Sequence, residues 1–200
     1  VVFVPVSWDG VLEALRDGHI DMVYSGMTIT PEREKEVEFT MPYFTVTKSV
    51  AVRSGSNVTL DDLNAGRLRV GAQAGSTGES WVKEHLVNIG ILHPEQVFMY
   101  PDVLTLTDAL MNGRIDASIS DTPTQQLAIA GRPLVIIGEI PTSEQYAVAV
   151  RKTDTHLHTI MDDGLRQLMA DPHWQDLLKK YGLNTQAAPI FLANNTSGSG

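Results

Sequence analysis

An internal repeat constrains the fold of this chain more than any other feature. Ala14-Leu15-x-x-Gly18-x-Ile20-Asp21 recurs 95 residues later (109 − 14) as Ala109-Leu110-x-x-Gly113-x-Ile115-Asp116. Each copy continues to a serine, Ser25 and Ser120, and then the copies part: Gly26 follows the first and Asp121 the second. Each copy reads as the end of a helix, a glycine that stops it, and a short buried strand. The matched positions favour duplication over chance, so two similar α/β units are expected. In open α/β sheets, ligands bind beyond the carboxyl ends of strands. Gly26 and Asp121 are placed at those ends and would face each other across one site.

Two hundred residues fit one large domain or two small ones, and 42% hydrophobic residues suffice for a core. The net charge of −9 argues against nucleic acid or an anionic membrane as partner and favours neutral or cationic small ligands. With no cysteine, disulfides, thiolate metal sites and a cysteine nucleophile are excluded. No apolar run approaches the roughly 20 residues of a membrane span.

The opening Val1-Val2-Phe3-Val4-Pro5-Val6 reads as a buried strand already under way, with neither an initiator methionine nor a signal peptide, which points to processing or truncation. Helices are expected at about 9–17, from Pro31, at 60–64, 79–88, 104–112, 122–130, 155–170 and 173–181. Strands are expected at 20–24, 69–72, 96–100, 115–119 and 134–137, and this alternation predicts mostly parallel sheets. Two further extended segments, 46–52 and 146–151, are natural crossings between lobes. The predicted division is 1–47 with 148–185 as a discontinuous first lobe and 48–147 as a continuous second lobe. Residues 186–200 read as a flexible tail or linker, and Gly182 as a helix stop.

The densest chemistry lies in Ser25-Gly26-Met27-Thr28-Ile29-Thr30-Pro31-Glu32-Arg33. Free amides at a helix start attract anions, and an arginine fork fits a carboxylate bidentately. The competing reading is a surface ion pair of Arg33 with Glu34 or Glu36. Gly75-Ser76-Thr77-Gly78 is a second turn of free amides, too short for a phosphate loop and without its lysine. Asp121 could pair with an ammonium group or cap the following helix. Trp8 is either a ligand platform or core. The six histidines lack metal spacing, and His156-x-His158 reads as solvated. No metal or other cofactor is expected. Asn57-Val58-Thr59 and Asn194-Asn195-Thr196 match glycosylation sequons of low specificity.

Together with Phe39-Thr40-Met41-Pro42-Tyr43-Phe44, Val70 to Glu79 and Ile115 to Asp121, these segments resemble the signature of polar amino-acid-binding proteins of ABC transporters. The resemblance is to extracellular solute-binding protein family 3 and runs from residue 1 to about 183. It implies the type II periplasmic-binding-protein fold, an α/β architecture of two lobes joined by two hinge strands. It also implies a non-enzymatic role: capture of an L-amino acid, polar or cationic, for an ABC transporter permease, in the periplasm or outside the cell. By motif, Arg33 would hold the ligand carboxylate, helped by the amides of Thr28 and of Thr77 beside Gly78. The carbonyl of Gly26 and the carboxylate of Asp121 would hold the ammonium, and Trp8 would pack on the ligand.

The chain departs from the family pattern at its start. Members carry a strand, a helix and part of another strand before the position of Val1, a stretch through which a membrane anchor could also attach. Without it the first lobe would have an open edge. A second chain, a paired or swapped second copy, or a naturally short form would account for this, and dimerisation is the expected arrangement. Two other outputs of the same scaffold are the sensing domain of a receptor or kinase, and a cyclohexadienyl-dehydratase-like enzyme.

Overall fold

Residues 1–181 and 183 are described in the computed structural model. Trp8–Gly10 forms a 3₁₀ turn leading into α1 (Val11–Arg16), then β1 (Met22–Thr28), α2 (Pro31–Glu34), β2 (Val37–Phe39) and β3 (Phe44–Arg53). Next come α3 (Leu60–Asn64), β4 (Val70–Gln73), α4 (Thr77–Val82, continued by a π turn over Lys83–Val87) and β5 (Val97–Tyr100). The remainder is α5 (Val103–Met111), β6 (Ala117–Asp121), α6 (Thr122–Ile129), β7 (Leu134–Arg151), α7 (Thr155–Ala170) and α8 (Pro172–Lys180).

The helix ends follow from local chemistry. Thr30, Thr59, Ser76 and Asp102 each accept a backbone N–H with their side chains at helix starts. The two copies of the repeat end their helices identically. The amides of Gly18 and Gly113 donate to the carbonyls of Leu15 and Leu110, and those of His19 and Arg114 to Ala14 and Ala109. This is the paired bond pattern of a Schellman motif. It needs a left-handed residue, and Gly18 (φ 78°) and Gly113 (φ 71°) supply it. An arginine clamps each copy from a long strand. Arg151 donates to the carbonyls of Leu15 and Ile20, and Arg53 to those of Leu110 and Ile115. The duplication is thus three-dimensional as well as sequential.

The strands form one mixed sheet in the order β1-β7-β3-β6-β4-β5, with β2 also on β7. Only β4 pairs in parallel, with β5 and β6; β1, β2 and β3 all run antiparallel to β7, and β3 antiparallel to β6. The expectation of mostly parallel sheets fails because the two long strands, β3 and β7, run antiparallel to every strand they pair with. Residues 134–137 and 146–151, read as separate strands, belong to one strand of 18 residues. It stays in register with β3 through a shift between Val46↔Glu144 and Lys48↔Ile140. β2, three residues long, was not expected.

Two hydrophobic clusters draw on the chain up to Tyr43 and from Val148 onward. One packs Val11, Leu15, Val23 and Met27, the other Val148, Val150 and Leu165. Two more are built from residues between Val50 and Ile140, around Leu63, Val70 and Ile119, and around Leu106 and Leu110. β3 and β7 connect the two sets.

Residues 1–6 do not form the expected buried strand. They pair with nothing, and Val1, Val2 and Phe3 are almost fully exposed. An apolar sequence becomes a strand only where a partner completes its backbone hydrogen bonds. The readings of Gly182, the tail and the second sequon lie outside the described residues. No described helix is long and apolar enough to cross a membrane.

Candidate functional site

A cavity of about 120 Å³ opens between the end of β1, the start of α2, the β4–α4 turn and the end of β6. Trp8, Gly26, Thr28, Arg33, Thr77, Gly78 and Asp121 all line it. Seven residues spread over 114 positions (121 − 8 = 113 apart) therefore converge on one volume.

Arg33 is buried, and its guanidinium donates to the carbonyl of Thr28 at 2.8 Å and to that of Gly75 at 3.0 Å. It makes no ion pair with Glu34 or Glu36, so the surface reading fails. Burial lowers its pKa, and the nearby carboxylates of Asp121 and Glu144 oppose that shift. The Trp8 ring lies under the guanidinium, 5.7 Å from ring centre to Cζ, and its indole N–H donates to the Gly75 carbonyl at 3.2 Å. Trp8 also packs against the cluster around Leu15, so its core and cavity roles coexist.

Gly26 lies within β1 rather than beyond its end, at a register shift between Val23 and Met27. Its φ of 73° needs glycine, and a Cβ there would meet the Tyr146 ring at 3.2 Å. Its amide donates to the Tyr43 hydroxyl at 3.2 Å. Gly78 sits under a similar constraint, with a hypothetical Cβ 3.2 Å from the Ile119 carbonyl oxygen. Ser76 caps α4 through the Glu79 amide, leaving the first-turn amides of Thr77 and Gly78 without intrahelical partners.

Asp121 closes β6 and makes no side-chain cap on α6. Its carboxylate is engaged elsewhere: Oδ1 accepts from the Lys48 ammonium at 3.0 Å and Oδ2 from the Tyr146 hydroxyl at 2.6 Å. Burial, then the Asp121 charge, raises the Tyr146 pKa, which keeps that hydroxyl a donor. Burial pushes Tyr43 up to about 12.

Lys48 and Glu144 were missed by the sequence reading. Lys48 is fully buried, and besides Asp121 it donates to Glu144 at 2.7 Å and to the Thr77 hydroxyl at 2.7 Å. Glu144 also accepts from Thr77 at 2.8 Å and from Thr28 at 3.4 Å. Leaving either charge unpaired in such a place would cost several kcal/mol, on the order of 3–5. A signal for Lys48 existed. Val46, Lys48, Val50 and Val52 fall on one face of the strand and all four are buried, and a lysine among buried valines requires partners. Glu144 was hidden by Pro141-Thr142-Ser143, which reads as a turn but is the register shift inside β7.

The arrangement brings an arginine fork, the free amides of the α4 first turn and a carboxylate around one cavity. Among the described residues no cluster of His, Asp or Glu could hold a metal ion.

The chain is 29% identical over 186 residues to a protein described as a probable histidine-binding protein of Neisseria gonorrhoeae, covering 90% of this chain and 68% of that one. Its structure is similar to that of an ancestral arginine-binding protein bound to arginine (TM-score 0.78, 32% identity, 90% of this chain and 80% of that one). It is similar as well to an ancestral arginine-binding protein bound to glutamine (TM-score 0.79, 32% identity, 90% and 79%). The mixed α/β sheet of this chain matches the periplasmic amino-acid-binding fold of these neighbours. The model of bacterial extracellular solute-binding proteins, family 3, matches residues 1–184, and the chain belongs to that family.

Proposed function

We propose that this protein captures a free L-amino acid outside the cytoplasm and presents it to an ABC transporter permease, without catalysis. The observation that carries the reading is the make-up of this cavity's lining: Arg33 and the first-turn amides of α4 for an anion, and Asp121 for a cation. That is the charge pattern of an α-carboxylate and an α-ammonium. Arg33 uses two of its five N–H groups on main-chain carbonyls, leaving donors for a ligand carboxylate. Trp8 supplies an apolar wall. Similar proteins named for histidine or bound to arginine and glutamine support an amino acid as the class. Four or five charge-assisted bonds of about 1.5–3 kcal/mol each, less the cost of association, fit micromolar binding near −8 kcal/mol.

In this reading residues 1–47 with 148–185 act as one lobe and 48–147 as the other. β3 and β7 serve as the hinge. The ligand touches both lobes only when they are closed, so it favours the closed state.

A thermal-shift screen of the twenty amino acids tests the reading. At one hundred times its Kd, a true ligand adds about 2.7 kcal/mol. For a chain of this size that raises Tm by about 5–10 °C. A flat response to all twenty would overturn the proposal. Turnover of prephenate or arogenate would overturn its non-enzymatic part.

A further inference from the structure

Lys48, fully buried beside the cavity, sets its balance of charge. Its ammonium has three protons and three acceptors: Asp121 at 3.0 Å, Glu144 at 2.7 Å and Thr77 at 2.7 Å. The carboxylate expected to receive a ligand ammonium is therefore already compensated by a buried cation behind it. Asp121 retains lone pairs for a further hydrogen bond but little uncompensated charge.

The balance around the cavity follows directly. Arg33 and Lys48 are cations, Asp121 and Glu144 anions, and the set is neutral before a ligand enters. Glu144 is itself held by Lys48 and by the hydroxyls of Thr77 and Thr28. Among the described residues Arg33 and Asp121 are the charged groups of the wall, and Ser25, Gln73, Ser120 and Thr124 supply neutral polar atoms. A zwitterion with a neutral side chain preserves the balance. A ligand with a second ammonium or a guanidinium adds a charge that no described residue of the wall compensates, in a site whose two cations are already fixed.

We propose that Lys48, paired with Glu144, is the specificity-determining residue of this site, selecting L-amino acids with neutral polar side chains and rejecting those with cationic ones. This rests on the amino-acid-binding function proposed above. The similar proteins include structures bound to arginine and to glutamine, so likeness to them does not choose between the classes; the buried lysine does.

The experiment is calorimetry of glutamine, asparagine, histidine, arginine and lysine against three proteins: the unaltered chain, Lys48→Met, and Lys48→Met/Glu144→Gln. The unaltered chain is expected to bind a neutral polar amino acid at least 100-fold more tightly than arginine or lysine. Lys48→Met leaves an excess negative charge and should narrow that ratio at least tenfold, through gained affinity for the cations. The double variant restores neutrality and should restore the preference. Equal gain in the single and double variants would mean that space rather than charge is at work, and would overturn the proposal. If Lys48→Met does not fold, Glu144→Gln gives the opposite sign: it leaves excess positive charge and must weaken arginine and lysine binding further. No weakening there overturns the proposal equally. Preference of the unaltered chain for arginine or lysine overturns this inference and leaves the amino-acid-binding function standing. Binding of none of the twenty amino acids overturns both.

Discussion

The guanidinium of Arg33 rests on two carbonyls that are far apart in sequence, those of Thr28 and Gly75. The arginine was legible as a candidate because a capping threonine and an N1 proline place it in the first turn of a helix beside a glycine-bearing strand. Its orientation was not legible, since Glu34 and Glu36 offered equally good local partners. Only packing against Trp8 and the β4–α4 turn directs it inward. In the proposed complex Arg33→Ala leaves a buried ligand carboxylate without its cation. The expected loss is about 2 kcal/mol or more, roughly 30-fold in Kd, measured by calorimetry on the ligand found in the screen. Near-normal affinity would remove Arg33 from the site. Lys48 and Glu144 mark the limit of such reading: each is unremarkable in its own segment, and their pairing spans 96 residues.

The repeated helix-end and strand unit was the most readable element, because its information is local. A glycine three residues past Leu15 or Leu110 stops a helix whatever lies around it. Gly18 and Gly113 both have positive φ, and a Cβ has open space at the first and meets nothing closer than 3.8 Å at the second. Substitution by alanine at either should therefore cost the conformational penalty alone, about 1–2 kcal/mol. The two losses should match within a few tenths in urea unfolding. Markedly unequal losses would mean that the two copies are not structurally equivalent. The 18-residue β7 was the least readable element. Pro141, Thr142 and Ser143 carry turn chemistry, and nothing local shows that β3 holds both flanks in one ladder.

In the molecule as a whole, two hydrogen bonds that cross the cavity meet at one oxygen. The Trp8 indole and Arg33 both donate to the carbonyl of Gly75. A ligand that draws the Arg33 fork onto itself must change the surroundings of Trp8. Binding should then alter tryptophan fluorescence, and Trp8→Phe should abolish that change although Trp81 and Trp174 remain. A persistent signal in the variant would place the response elsewhere. Stability should also depend on alkaline pH. Tyr24, Tyr43 and Tyr146 all have raised pKa values in the folded chain, chiefly through burial, with Tyr43 at about 12. The folded state keeps these protons where the unfolded chain releases them, so their contribution is complete below about pH 10 and falls as pH rises through 10 to 12. Urea midpoints at pH 8 and pH 11 should differ, and Tyr43→Phe should reduce the difference. An unchanged pH dependence would exclude Tyr43 as a source.

Caps, glycine stops and hydrophobic alternation act over a few residues, and so the helices, most strands, the duplication and the polarity of the cavity were present in the linear chain. The charge state of the cavity was not. Lys48 on β3, Asp121 on β6 and Glu144 on β7 meet because three strands lie side by side in one sheet. Residues 1–6 show the same dependence in reverse: their composition is that of a strand, yet no neighbour pairs with them. Pairing of backbone and pairing of charge are both properties of neighbours, and neighbours are supplied by the folded chain.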